Sequence, residues 1–302
     1  MAKLTKGQLN TMLSRTLIGV LIGITYVVAI LLGYFVDRAI MSYFLCIVVA
    51  ICILEVRFAL GDRISKRLGV LIWIFACLYG PSYFLYGFTG MVLFTLATFV
   101  IGCLIVLIVA DENIAETLMN FAFLLVYPTL IMSTLFFLNK AQDTTTGALT
   151  PYNTVALSLA FLVSCFTDMF AYFFGVLFGR HKLVPHISPK KTIEGSIGGL
   201  VGGLIGAGIV YLLFETPFAI FVDCGLPLPI ALKISIYVII GIFGSIFTQI
   251  GDLVASVVKR YCGIKDYSSL LGVHGGVMDR FDSVIFAGAI FFILMQVIYL
   301  FV

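Results

Sequence analysis

Between Gln249 and Asp282 the chain reads QIGDLVASVVKRYCGIKDYSSLLGVHGGVMDRFD, which sets Asp252, Lys259, Arg260, Lys265, Asp266, His274, Asp279, Arg280 and Asp282 in one short interval. Only 11% of the 302 residues are charged, so this clustering carries information. Cations alternating with carboxylates, beside a Gly275-Gly276 pair that lets backbone approach a ligand, suit a phosphate-and-metal site. The carboxylates would take a divalent ion and the Lys and Arg side chains phosphate oxygens. The plainer reading of the basic residues is as ordinary loop charges that set membrane topology. It fits the carboxylates less well, because Asp252 and Asp282 border long apolar runs. An unpaired charge near the bilayer centre costs roughly 2.5–3.5 kcal/mol, so a partner, an ion or water is required there.

The order of these residues is itself distinctive. Ser256, Lys259-Arg260, Lys265-Asp266, Ser268, Leu271, Gly272, His274-Gly275-Gly276, Asp279-Arg280 and Asp282 follow one another within 256–282. Upstream come Gln249 with Gly251-Asp252-Leu253, Asp168 with Ala171-Tyr172 and Gly175, and Ser188-Pro189-Lys190-Lys191-Thr192-Ile193-Glu194-Gly195. Together they resemble the signature of the phosphatidate cytidylyltransferases, also called CDP-diacylglycerol synthases. The resemblance is specific from about Phe161 to Asp282. Ile193 departs from it where many members carry an aromatic residue, which removes a stacking contact and no charged role.

What the resemblance implies is transfer of the cytidylyl group of CTP to phosphatidate, giving CDP-diacylglycerol and pyrophosphate for phospholipid synthesis. It implies a magnesium ion, leaves open a second metal ion or a monovalent cation, and implies a homodimer. The catalytic set carried over is Asp252, Lys259, Arg260, His274, Asp279, Arg280 and Asp282. Substrate contacts are Ser188, Lys190, Lys191, Thr192, Ser256, Lys265, Asp266, Gly275 and Gly276, and the metal candidates are Asp252, Asp279, Asp282 and Asp168. The chemistry is coherent, since one anion must attack another and charge must first be neutralised.

Several of these residues have a second reading. Asp168 can serve as a partner for Lys or Arg within the bundle, and Lys190-Lys191 can attract anionic lipid. Ser188 and Thr192 can cap a helix as readily as donate to phosphate. His274 is better suited to orienting a phosphate than to acting as a base, because a phosphate monoester has its second pKa near ~6 and is largely ionised already. Glu55 has no evident catalytic role and is expected to cap or pair within the first helices. Two other functions remain in view: a CTP-dependent lipid-alcohol kinase, and a secondary transporter suggested by intramembrane carboxylates.

The elements that must position these groups are membrane helices. Hydrophobic residues make up 62% of the chain and its mean hydropathy is +1.17, which excludes a soluble globule. Backbone groups in lipid must bond within their own segment, so the expected fold is all-α, a polytopic membrane helix bundle. About nine spans are expected: 16–36, 39–60, 69–87, 91–109, 117–138, 154–178, 196–214, 231–252 and 283–302. Pro81 and Pro128 are expected to kink the third and fifth. An inside N-terminus and outside C-terminus leave only Arg38, Lys140 and Lys233 of the 18 Lys and Arg residues outside. Asp168, Asp252 and Asp282 then meet at the cytoplasmic face of a multi-pass cell-membrane protein.

The chain is expected to be one membrane domain, 1–302. Residues 1–150 would be helices of structural, dimer or lipid-facing role, and 154–302 the catalytic half. The seven cysteines form no CxxC and read as small buried hydrophobes. Gly195, Gly199 and Gly203, with Gly198, Gly202 and Gly206, make the seventh span smooth enough for close packing against the sixth or eighth. No nucleic-acid partner is expected.

Overall fold

The computed structural model describes residues 23–109, 113–140, 153–216, 219, 221, 225–226, 228–272 and 275–299. It is built from helices, as the apolar composition requires. In chain order they are α1 (Gly23–Phe35), α2 (Ala39–Leu60), α3 (Lys66–Val109), α4 (Ile114–Leu124), α5 (Ile131–Lys140), α6 (Asn153–Phe178), α7 (Ile193–Glu215), α8 (Ile230–Tyr261) and α9 (Met278–Tyr299). Among the described residues, 7 helices are long and apolar enough to cross a membrane. Among the described residues the sheet content is one antiparallel hairpin between α6 and α7, β1 (Lys182–Val184) with β2 (Ser188–Thr192), an addition to the all-α expectation.

Two compact units are present: Met1–Leu125 with Cys262–Arg280, and Val126–Tyr261 with Phe281–Val302. In the first, α3 is too long for one crossing and reverses at Gly87, whose φ of 62° an L side chain rarely adopts. Phe75 and Phe94 lie nineteen positions apart in that helix, yet their rings stack with centroids 5.4 Å apart. A straight helix would separate them by about 28 Å. The reversal falls between the expected spans 69–87 and 91–109; the helix breaks at Gly87, and not at Pro81. Gly80 receives the Cys46 side chain of α2 so closely that an added Cβ would lie 2.6 Å from its sulfur.

In the second unit, Pro128 sits in a π-helical turn, Leu125–Leu130, ahead of α5. Proline removes a backbone donor, and one wide turn absorbs the loss. The glycines of α7 divide between two neighbours. Gly198, Gly202 and Gly206 face α6, where an added Cβ would meet Phe174, Phe166 and Leu162 respectively. Gly199 and Gly203 face α8, against Gln249 and against Ser245 with the Gly241 carbonyl. Hydroxyls bond α6 directly to α8: Ser164 with Thr248 at 3.1 Å and Thr167 with Ser245 at 2.9 Å. In hydrocarbon such pairs hold helices together, since no water competes for them.

Candidate active site

In the unit built on α6–α8, charged groups collect where α6 ends and α7 begins. Thr192 closes β2 and caps α7, its hydroxyl accepting the Gly195 N–H at 3.1 Å. Glu194, in the first turn of the helix, accepts the backbone N–H groups of Arg180 and His181 and bonds His181 Nδ1 at 2.7 Å. That fixes the hairpin against the end of α6. Lys191, next to the cap, then reaches α8 and pairs with Asp252, Nζ to Oδ2 2.7 Å. Ser188 opens β2, half-buried, and Lys190 is exposed.

Two turns along α8 from Asp252, Lys259 pairs with Asp282 of α9 at 3.5 Å. Both side chains are mostly buried, 15% and 9% exposed, so this pair is far less screened than a surface one. The helices meet closely there because Gly251 has no side chain; a Cβ on it would lie 2.6 Å from the Asp282 carbonyl oxygen. Ser283 joins two carboxylates. Its N–H donates to Asp282 Oδ1 at 2.8 Å and its hydroxyl to Asp168 Oδ2 at 2.9 Å. Ser256 donates back along α8 to the Asp252 carbonyl, 2.8 Å, and Ser196 donates to Gln249 Oε1 at 2.5 Å. Arg260 is exposed.

The other unit carries the signature loop. Its backbone bonds to itself, Leu271 N–H donating to the Gly275 carbonyl at 2.9 Å, and Gly272 and Gly275 have φ of 60° and 76°. The second pair-glycine has a different purpose. An added Cβ on Gly276 would lie 2.5 Å from Glu55 Oε2, so the gap is filled by that carboxylate. Asp279 anchors the loop from below, its Oδ2 accepting the N–H groups of Tyr267 at 2.8 Å and Gly276 at 2.9 Å. Lys265, Asp266 and Arg280 are exposed. His274 lies outside the described residues.

The sequence-derived set is thus gathered into two groups. Lys191, Asp252, Lys259, Asp282 and Asp168 belong to one unit, and the loop with Asp279 and Arg280 belongs to the other. Among the described residues no three His, Cys, Asp or Glu side chains are close enough to form a metal cluster. The pair Asp168 and Asp282, tied through Ser283, nonetheless matches the habit of magnesium, which takes one or two carboxylates and completes its shell with water and substrate phosphates. The donors are all oxygen, as that hard ion requires. Glu55 is the residue that sequence reasoning did not give a site role; a buried carboxylate in an apolar helix was the signal for it.

Comparison with known proteins agrees with the residue pattern. The Cytidylyltransferase family pattern matches residues 13–298. A phosphatidate cytidylyltransferase of Aquifex aeolicus is 30% identical over 301 residues, covering 97% of this chain and 96% of its own. Enzymes of the same name from Staphylococcus haemolyticus and Staphylococcus saprophyticus are 47% and 44% identical over 127 residues, a match that spans 44% of each of those proteins.

Proposed function

Because this chain belongs to the Cytidylyltransferase family, we propose that it transfers the cytidylyl group of CTP to phosphatidate, releasing pyrophosphate and forming CDP-diacylglycerol. The observation that supports this reading is that Lys191–Asp252, Lys259–Asp282 and Asp168–Ser283 link residues beside or within α6, α7, α8 and α9 inside one unit. In the reaction a phosphatidate oxygen attacks the α-phosphorus of CTP and the bond to the pyrophosphate oxygen breaks. Both reactants are anions, so the barrier is electrostatic before it is anything else. Lys191 and Lys259, each paired with a carboxylate, are assigned to phosphate oxygens, with Lys190 and Arg260 of the same unit as further cations; Lys265 and Arg280 are assigned to substrate through the family resemblance alone. The carboxylate partners of Lys191 and Lys259 hold them in place until substrate arrives. No general base is needed, since the attacking phosphate is ionised at neutral pH.

Asp168 and Asp282 would hold magnesium, with Asp252 of the same unit as a further oxygen donor; Asp279 is a metal candidate through the family resemblance alone. Bound by Asp168 and Asp282, the ion would neutralise charge on the phosphates. Nine membrane crossings with the N-terminus inside belong to the same reading: it counts α3 as two crossings because of its reversal at Gly87, and it puts the α6–α8 cluster on the side where CTP is found. A homodimer is part of it through the family resemblance. The test is incubation of purified protein with labelled CTP, phosphatidate and magnesium, with the lipid and aqueous products separated. Labelled CDP-lipid with pyrophosphate supports the proposal. CDP with a phosphorylated lipid would instead identify a kinase, and solute flux without nucleotide consumption a transporter.

A further inference from the structure

Glu55 is 5% exposed, near the end of the apolar helix α2 and more than two hundred positions from its partners. Its carboxylate accepts three hydrogen bonds. Ser268 Oγ donates to Oε1 at 2.6 Å, the Val277 N–H to Oε1 at 3.0 Å, and the Met278 N–H to Oε2 at 2.7 Å. The last two are among the N–H groups that a helix start leaves without an internal partner, and a carboxylate is the best acceptor for them. Ser268 in turn accepts the Leu270 N–H at 3.1 Å, so the same contact sets the turn of the loop. The absence of a side chain at Gly276 makes room for the acid.

Asp279 holds the same segment through the N–H groups of Tyr267 and Gly276, so the two acids together fix Tyr267, Ser268 and residues 276–278. Pulling Glu55 away releases Val277 and Met278, which set the first turn of α9 and hence the directions of Asp279 and Arg280. We propose that Glu55 is a positioning residue for cytidylyl transfer: it contacts no substrate and holds the signature loop and the start of α9 in the reactive arrangement. This rests on the reaction proposed above.

The variant Glu55→Gln keeps shape and replaces one acceptor oxygen by an NH2 group that faces backbone donors. Misplacement of reactive groups by about 1 Å costs on the order of 10²-fold in rate, so kcat should fall by about that factor while KM for phosphatidate stays unchanged. Hydrogen exchange at Val277 and Met278 should accelerate in the full-length protein, with the amides of α7 and α8 unaltered. Glu55→Asp should restore part of the lost turnover. Wild-type kcat in Glu55→Gln would overturn the inference, as would a variant whose lost activity is wholly explained by a smaller folded fraction. Wild-type protein that makes no CDP-lipid would remove the proposed reaction, and the positioning role with it; normal wild-type turnover with an unaffected variant removes the positioning role alone.

Discussion

Replacing Gly203 by alanine tests whether the contact of α7 with α8 holds the charged end of the bundle. The new methyl would overlap Ser245 Oγ and lie 2.9 Å from both the Gly241 carbonyl oxygen and Thr167 Oγ1. Ser245 cannot turn away without giving up its bonds to Thr167 and to the Gly199 carbonyl, each worth about 0.6 kcal/mol in a membrane protein. The Gly241 oxygen is backbone, so the helices must also separate, and overpacking of this kind costs about 1–3 kcal/mol. Alanine returns up to ~1 kcal/mol through its higher helix propensity. The net expectation is a loss of about 1–3 kcal/mol, roughly 5- to 150-fold in the unfolding equilibrium. Unfolding in mixed detergent micelles, followed by circular dichroism, reads this directly. Gly208→Ala is the matched control, because nothing lies within 4 Å of its added methyl, and it should be neutral or mildly stabilising. Equal stability of Gly203→Ala and wild type, or equal damage from both variants, would refute the packing account.

Three further outcomes are expected. Lys259→Met leaves the Asp282 carboxylate buried without its cation, and turnover should drop about 10²–10³-fold, with partial recovery in Lys259→Arg; a radiolabel assay at saturating CTP checks this. Lys233→Met breaks a pair of the same kind at the other end of α7 and α8, where Glu215 is fully buried and also accepts from Tyr237 and the Leu226 N–H. It should cost about 3–5 kcal/mol of stability while kcat per folded molecule is retained, as measured by unfolding and active-fraction titration. Chelation of divalent ions should abolish turnover and added magnesium should restore it, with Asp282→Asn shifting the magnesium dependence upward.

Much of the helical plan can be read in the residues because lipid permits few alternatives. The six glycines of α7 announce close packing by spacing alone, and the structure assigns three to α6 and two to α8, with Gly195 also against α6 at the Ala171 carbonyl. The reversal at Gly87 is visible as a length problem, since forty-four residues cannot be one crossing. Pairing of charges is not legible in the same way. Lys191 and Asp252 are sixty-one positions apart, and no local pattern indicates that this lysine, and not Lys190, meets that acid. Thr192 could be read as a cap or as a phosphate donor; its hydroxyl accepts the Gly195 N–H, the bond of a cap. Gly275-Gly276 could be read as room for a ligand. One of the two serves a left-handed turn, and the other makes room for Glu55. Glu55 itself escaped a site role because its partners are chiefly main-chain groups, which leave no mark in side-chain spacing.

The clamp on Glu55 has a consequence for synthesis. The acid enters the membrane with the second helix, but the amides that satisfy it emerge only when Val277 and Met278 have been made. Until Ser268, Val277 and Met278 have all been made, the carboxylate of α2 is without these three donors. The first-made part of this unit is therefore completed by the last.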